Sequence, residues 1–316
     1  MMTYGSYAAA ISILVIAGPG IFGNVNILVA ILRKRDLRTR SGCLMCLIAF
    51  YDTISILFEL WTAKRLLGDE ILPKIYCFHT VSPYFVILVT QSYTLMALAV
   101  DRMIAIFFPV RYRQISTKSY LLIACLPGVF IGVVLAILAQ IHMDTDTVAF
   151  CNPPMSLPAN IESVYRCYTV SMNLGIVTLY ASSIIGLHRQ RRLLNTIRDS
   201  TKSRHVKQQQ KVMKTIGVIM LIFVSAYLLI QLVNFVILYA NIDESLPAIE
   251  FIRGMSVAPI MVTFSQSFYV YWWRSAEYRA VFKEQLKFAF RCTPSKGGSS
   301  PIARTNSRIT AFHVSN

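Results

Sequence analysis

Charge is scarce in this chain, and acidic charge is scarcer still. Only 15% of its 316 residues are Asp, Glu, Lys or Arg, with 15 acids against 31 bases. Soluble domains carry about 25% charged residues. The length alone would allow about two soluble domains, but so little charge argues against that reading. Histidine is sparse as well. The five, His79, His142, His188, His205 and His313, are scattered over loops and boundaries, and no H-E-x-x-H occurs. That leaves nothing to build a hydrolytic zinc centre from. Cys43 and Cys46 are spaced C-x-x-C, yet they sit inside an apolar run with no second pair and no histidine, so metal binding is not implied. No N-x-S/T sequon is present. An enzyme is therefore disfavoured.

What the chain has instead is long apolar runs. Ala8 to Leu32 is 25 residues without a charge, more than the roughly 20 that a helix needs to cross the hydrocarbon core. The run is too long for a signal-peptide core and no basic segment precedes it, so it reads as a retained span. Six more spans follow at about 42–63, 76–106, 119–141, 164–187, 212–240 and 248–273. In lipid every backbone polar group must find its partner within the element, so runs this long are helices. The expected fold class is an all-α membrane protein: a seven-transmembrane helix bundle within residues 8–291. Residues 1–7 form an extracellular N-terminus. From 292 to 316 the chain is rich in Gly, Ser, Pro and Thr and reads as a disordered cytoplasmic tail.

Lys and Arg give the orientation. Four alternate segments, after spans one, three, five and seven, hold 25 of the 31. Residues 142–163 hold none, and 64–75 is mixed. Basic segments stay in the cytoplasm, so the N-terminus is expected outside a plasma membrane and the C-terminus inside. The net charge of +16 is then a topology signal; it does not imply nucleic acid as a partner. Cys77, at the outer end of span three, and Cys151, in the outer loop after span four, both face an oxidising compartment. A disulfide between them is permitted there, and it would pin the loop over the mouth of the bundle. Cys43, Cys46, Cys125 and Cys167 read as small core residues.

Polar residues at membrane depth are costly and therefore informative. At 1.5 Å per residue, Asn24, Asp52, Gln91 and Ser267 fall about 10–16 Å from the inner boundary, close to one level. Such a layer is either a packing network that orients helices or a switch that holds water or Na⁺ near Asp52. Cys77 to Arg102 spans about 37 Å of helix, enough to cross the bilayer. The pair Asp101–Arg102 thus emerges at the inner boundary, where Asp101 neutralises Arg102. The pair is either structural or a resting lock whose arginine is released toward a partner.

Several motifs occur in a fixed order: Gly23–Asn24, "LIAFYD" ending at Asp52, "LAVDRMIAI" around Asp101–Arg102, "FPVRY" from Phe108, "SFYVY" ending at Tyr271, and "YRAVF" from Tyr278. This set resembles the rhodopsin-like (class A) G protein-coupled receptors over nearly the whole chain. "LAVDRMIAI", "FYVYWWRSAEYRAVF" and the short N-terminus resemble the nematode chemosensory receptors called serpentine receptor class SX. The resemblance implies a receptor that binds an odorant or small peptide outside and activates a heterotrimeric G protein inside. It gives Cys77 and Arg102 the family's spacing between disulfide and switch arginine. It makes Asp101, Arg102, Pro109, Val110, Tyr180 and Tyr271 coupling and switch residues, and it makes "YRAVF" the start of a short amphipathic eighth helix that ends the membrane domain at 291. The chain departs from the pattern at Met103, Met172, Tyr227, Leu229 and Ser267–Phe268, so prolines that normally kink spans five and six are missing. Gln209 stands near the place of an acidic partner for Arg102, so an inter-helix ionic lock is not expected.

Glu59, Tyr84, Tyr227, Gln231, Asn234 and Arg253 are the candidate ligand-pocket residues. Tyr84 occupies the place where amine receptors carry an aspartate, which disfavours a primary-amine neurotransmitter. Glu59 either binds ligand or pairs with Lys64 or Arg65. Cys292 is a candidate palmitoylation site, and the tail hydroxyls are candidate targets for kinases and an arrestin-like partner. The competing reading, a transporter or channel, lacks an even span count and an inverted repeat with broken helices in both halves.

Overall fold

The computed structural model describes residues 4–68, 72–144, 146–148, 151–197, 200–240 and 246–291. Ten helices follow in chain order. They are α1 (Tyr4–Arg33), α2 (Arg40–Leu67), α3 (Lys74–Phe107), α4 (Pro109–Gln114), α5 (Thr117–Ile141), α6 (Ala159–Ile197), α7 (Ser200–Tyr239), α8 (Pro247–Met255), α9 (Val257–Arg274) and α10 (Ala276–Arg291). The fold is an all-α membrane bundle. Among the described residues six helices, α1, α2, α3, α5, α6 and α7, are long and apolar enough to cross a bilayer. The seventh span is the correction: the expected single helix over 248–273 is two, α8 and α9, meeting at Ser256. Pro259 supplies the cause. Its ring opposes the carbonyl four residues earlier, at Met255, where α8 stops.

Burial sorts the helices by role. The apolar segment of α3 is the most enclosed and that of α5 the least. α3 therefore runs through the middle, and α5 turns Ile123, Phe130 and Ile141, each about 70% exposed, toward the hydrocarbon. An apolar exterior of this kind is the expected surface of a helix in lipid. Cys43, Cys46 and Cys125 are half-buried, whereas Cys167 is exposed, so it does not belong to the core as expected.

Local sequence fixes several ends. Thr39 caps α2, its hydroxyl accepting from the Gly42 N–H at 3.1 Å. Pro109 opens α4 at the first helical turn. In the Gly23–Asn24 pair, a Cβ on residue 23 would lie 2.8 Å from the Phe268 Cβ. Glycine is what lets α1 close onto α9, and it brings the Asn24 amide to the Phe264 carbonyl at 2.9 Å. With no proline inside them, α6 and α7 are unbroken over 39 and 40 residues. Both extend beyond their expected spans into the basic segment. α10 follows Ser275 and returns to the end of α1, where Lys34 meets Glu284 at 2.8 Å.

Candidate functional site

Three polar levels lie along the bundle. At one end the Cys77–Cys151 disulfide ties the tip of α3 to the loop after α5, with the two Cα atoms 5.6 Å apart. The loop is held further by a two-stranded antiparallel pair, β1 (Leu72–Pro73) with β2 (Thr147–Val148). Lys74 adds an ion pair to Asp144 at 2.8 Å. Beneath this roof is a cavity of about 770 Å³, within the range of small-molecule sites. Five of the six candidate pocket residues line it: Glu59, Tyr84, Tyr227, Gln231 and Asn234. The side chain of Arg253 lies outside the described residues.

Glu59 is buried and accepts from the Tyr84 hydroxyl at 2.7 Å. The Tyr84 hydroxyl is thus one partner of Glu59. Arg65, the alternative, stacks on Trp61 with its guanidinium 4.6 Å from the ring. Phe58 stacks on Tyr84 at 5.3 Å, which holds the phenol in place. Sequence reasoning missed Lys74, Asn152, Tyr165, Arg166 and Thr169, which also line the cavity. Arg166 pairs with Glu162 one turn back along α6, so the charges at the mouth are largely matched. The i,i+4 spacing of Glu162 and Arg166 was the signal available for that pair.

The middle level contains Asn24, Asp52, Gln91 and Ser267, all buried. The Gln91 amide donates to Asp52 at 2.6 Å. Asn24 bonds to the α9 backbone, and Ser267 joins neither bond among the described residues. Four oxygens at this level, on Asn24, Asp52, Ser55 and Gln91, are buried without a hydrogen-bond partner. A carboxylate with neutral oxygens is a donor set suited to a hard cation.

The far end carries the charge pair. Asp101 is fully buried and Arg102 is 5% exposed. The guanidinium donates from Nε to Asp101 Oδ2 at 3.0 Å, and Nη2 donates to the same oxygen. Two further donors converge on this carboxylate: the Ser41 hydroxyl at 2.8 Å and the Tyr112 hydroxyl at 2.9 Å. Burial and the Asp101 carboxylate push the Tyr112 hydroxyl above the usual phenol range, which keeps it a donor. Arg40 covers the Tyr112 ring at 4.3 Å and donates to the Tyr112 and Ile115 carbonyls. α2, α3 and α4 are thereby bolted together on one buried acid. Tyr112 was within reach of the "FPVRY" motif; Ser41 carried no signal.

The other residues expected to act in coupling lie near this end. Pro109 and Val110 are exposed on α4. Tyr271 is buried against Tyr278, with ring centroids 4.3 Å apart. The Tyr180 hydroxyl donates to the Met213 carbonyl of α7. This approach depends on Gly217, where a Cβ would sit 2.3 Å from the Tyr180 oxygen. Gln190 joins α6 to α3 through the Ile106 carbonyl at 2.7 Å. The side chain of Gln209 and all of Cys292 lie outside the described residues.

A ligand-sized cavity at one end, a polar layer midway and a buried acid–base pair at the other is the layout of a transmembrane signal relay. The family model described as "Serpentine type 7TM GPCR chemoreceptor Srsx" matches residues 18–286. The chain belongs to this family. The serpentine chemoreceptor is also similar to two curated receptors over part of its length. It is 23% identical over 153 residues to the Dopamine D2-like receptor of Drosophila melanogaster, covering 46% of this chain and 17% of that protein. It is 28% identical over 119 residues to Olfactory receptor 5AR1 of Mus musculus, covering 36% of this chain and 37% of that receptor. The matched segments thus span well under half of either relative.

Proposed function

We propose that this serpentine chemoreceptor is a ligand-driven activator of a heterotrimeric G protein in the plasma membrane, with its N-terminus outside and its C-terminus in the cytoplasm. The carrying observation is the Asp101 carboxylate, fully buried and bound by Arg102, Ser41 and Tyr112 at the end opposite the roofed cavity. The placement of Lys and Arg supports the orientation: 25 of 31 lie in the segments assigned to the cytoplasm.

In this reading a small molecule or short peptide enters the cavity and contacts Glu59, Tyr84, Tyr227, Gln231 and Asn234. It shifts a two-state equilibrium by binding the active state more tightly. In the active state Arg102 leaves Asp101 and faces the cytoplasm. The C-terminal helix of a Gα subunit then docks against Arg102, Pro109 and Val110, an amphipathic helix in a groove. Tyr180 and Tyr271 hold the rearranged α7 and α9. Asp52, with Ser55, Gln91 and Asn24, would hold Na⁺ at the middle level, where the ion would neutralise the buried carboxylate. Cys292 takes a palmitoyl chain, and the tail hydroxyls take phosphate from kinases and recruit an arrestin. The activity is signalling and involves no covalent catalysis.

Cells that express the receptor, screened with volatile and peptide libraries under a calcium or cAMP readout, test this. A hit should vanish in Arg102→Ala at unchanged surface level. Epitope tags on the two termini should report opposite sides of the membrane; tags on the same side would refute the topology and the mechanism with it.

A further inference from the structure

A second cavity, of about 690 Å³, adjoins the coupling end and shares Tyr180, Met213 and Gly217 with it. One wall is α6 from Ile176 to His188, the other is α7 from Gln210 to Val224, and Arg274 closes one end. Among the described residues none of α1 to α5 lines it, so it is a crevice between α6 and α7. Its lips face outward: Val177, Ile184 and Leu221 are 46%, 40% and 68% exposed. In a bilayer those lips meet acyl chains.

The crevice is chemically graded. Its interior is apolar, with Ile176, Met220 and Val224 deepest from the charged end. Apart from Tyr180 on the wall, its polar side chains, His188, Gln210, Lys214 and Arg274, gather at the opposite end, two of them basic. Lys214 to Val224 is ten residues, about 15 Å of helix, and Ile176 to His188 is twelve, about 18 Å. Both walls thus offer an apolar run that ends in cationic or polar groups at the same level. Arg274 is exposed and lies on the Trp273 ring at 5.1 Å, so its guanidinium has no carboxylate within ion-pairing distance among the described residues.

We propose that this crevice binds an anionic phospholipid of the cytoplasmic leaflet, its acyl chain between α6 and α7 and its phosphate against Lys214 and Arg274. Charge complementarity and the apolar run together select that occupant: a free phosphate would leave the apolar walls unused, and a neutral lipid would leave both cations unmatched. Basic groups between helices at the cytoplasmic side are a recurrent setting for anionic headgroups. The position gives the lipid leverage. Gly217 and Met213, which receive Tyr180, form part of the same wall, so a chain in the crevice bears on the α6–α7 contact. The assignment rests on the orientation proposed above only for the leaflet from which the lipid comes.

The test is retention of lipid by the purified, detergent-solubilised full-length receptor, measured by native mass spectrometry, which needs neither an agonist nor a topology. Phosphatidic acid is the probe, with phosphatidylcholine, glycerol phosphate and a Gα C-terminal peptide as comparators. The wild type should retain phosphatidic acid over phosphatidylcholine, and glycerol phosphate should not displace it. Lys214→Gln with Arg274→Gln should weaken retention about tenfold or more. Ala181→Phe, which fills the apolar wall, should abolish it, and Lys287→Gln on exposed α10 should leave it unchanged. Equal retention in the double variant, equal retention in Ala181→Phe, or displacement by glycerol phosphate would each overturn the proposal. So would binding of the Gα peptide that is lost in Ala181→Phe while lipid retention persists. Failure here with opposite-sided terminal tags would leave the receptor reading standing.

Discussion

The proposed resting lock on Arg102 makes a quantitative demand of Asp101→Asn. The carboxylate collects donors from Arg102, Ser41 and Tyr112 while fully buried. Asparagine keeps the size but removes the charge, so the charge-assisted bonds become ordinary ones. A bond to a charged group contributes about 1.5–3 kcal/mol and a neutral one about 1. The guanidinium also loses its counter-charge in a site where it is nearly sealed from water. A net loss of about 1.5–3 kcal/mol from the resting state raises the active-to-resting ratio roughly ten- to a hundred-fold. Removing single neutral donors should do less: Tyr112→Phe and Ser41→Ala each about 1 kcal/mol, near fivefold. The assay is agonist-free nucleotide exchange over a panel of Gα subunits, normalised to surface level. The expected order is Asp101→Asn well above Tyr112→Phe and Ser41→Ala, with the wild type lowest. Basal exchange in Asp101→Asn equal to wild type, at equal surface level, would refute the lock.

Gly217→Ala places a methyl 2.3 Å from the Tyr180 oxygen; it should cost about 1–3 kcal/mol of thermal stability, and Tyr180→Phe in the same chain should restore part of it in a melting assay. Cys77→Ser and Cys151→Ser should lower stability equally, by up to about 4 kcal/mol for a loop closed over 74 residues, and the double variant should melt with the singles. Glu59→Leu and Tyr84→Phe remove the two ends of one buried bond, so their effects on melting temperature should fall short of additive; strict additivity would show that the two side chains do not meet.

Much of this architecture was legible because lipid removes options. The apolar runs had to be helices, and six of the seven came out within a few residues at most ends, the exceptions being the extended α6 and α7. The spacing of Cys77 and Arg102 placed them at opposite ends of α3, and the disulfide is present in the structure. What one-dimensional depth could not give was azimuth. Asn24, Asp52, Gln91 and Ser267 share a level, yet only Asp52 and Gln91 meet, because rotation of each helix decides which neighbour a side chain faces. Ser41 escaped notice for the same reason: its role is set by α2 passing α3 at the height of Asp101. The break at Ser256 follows from Pro259, a residue that the reading of 248–273 as one span left out of account. The lateral crevice depends on the separation of α6 and α7, which no residue spacing encodes.

The most direct test of the central claim is nucleotide exchange by the purified Asp101→Asn/Arg102→Ala double variant, set against Asp101→Asn alone. If release of Arg102 is what activates the G protein, removing its guanidinium should return the raised exchange of Asp101→Asn to background. Exchange that stays raised in the double variant would show that Arg102 is not the element that carries the signal.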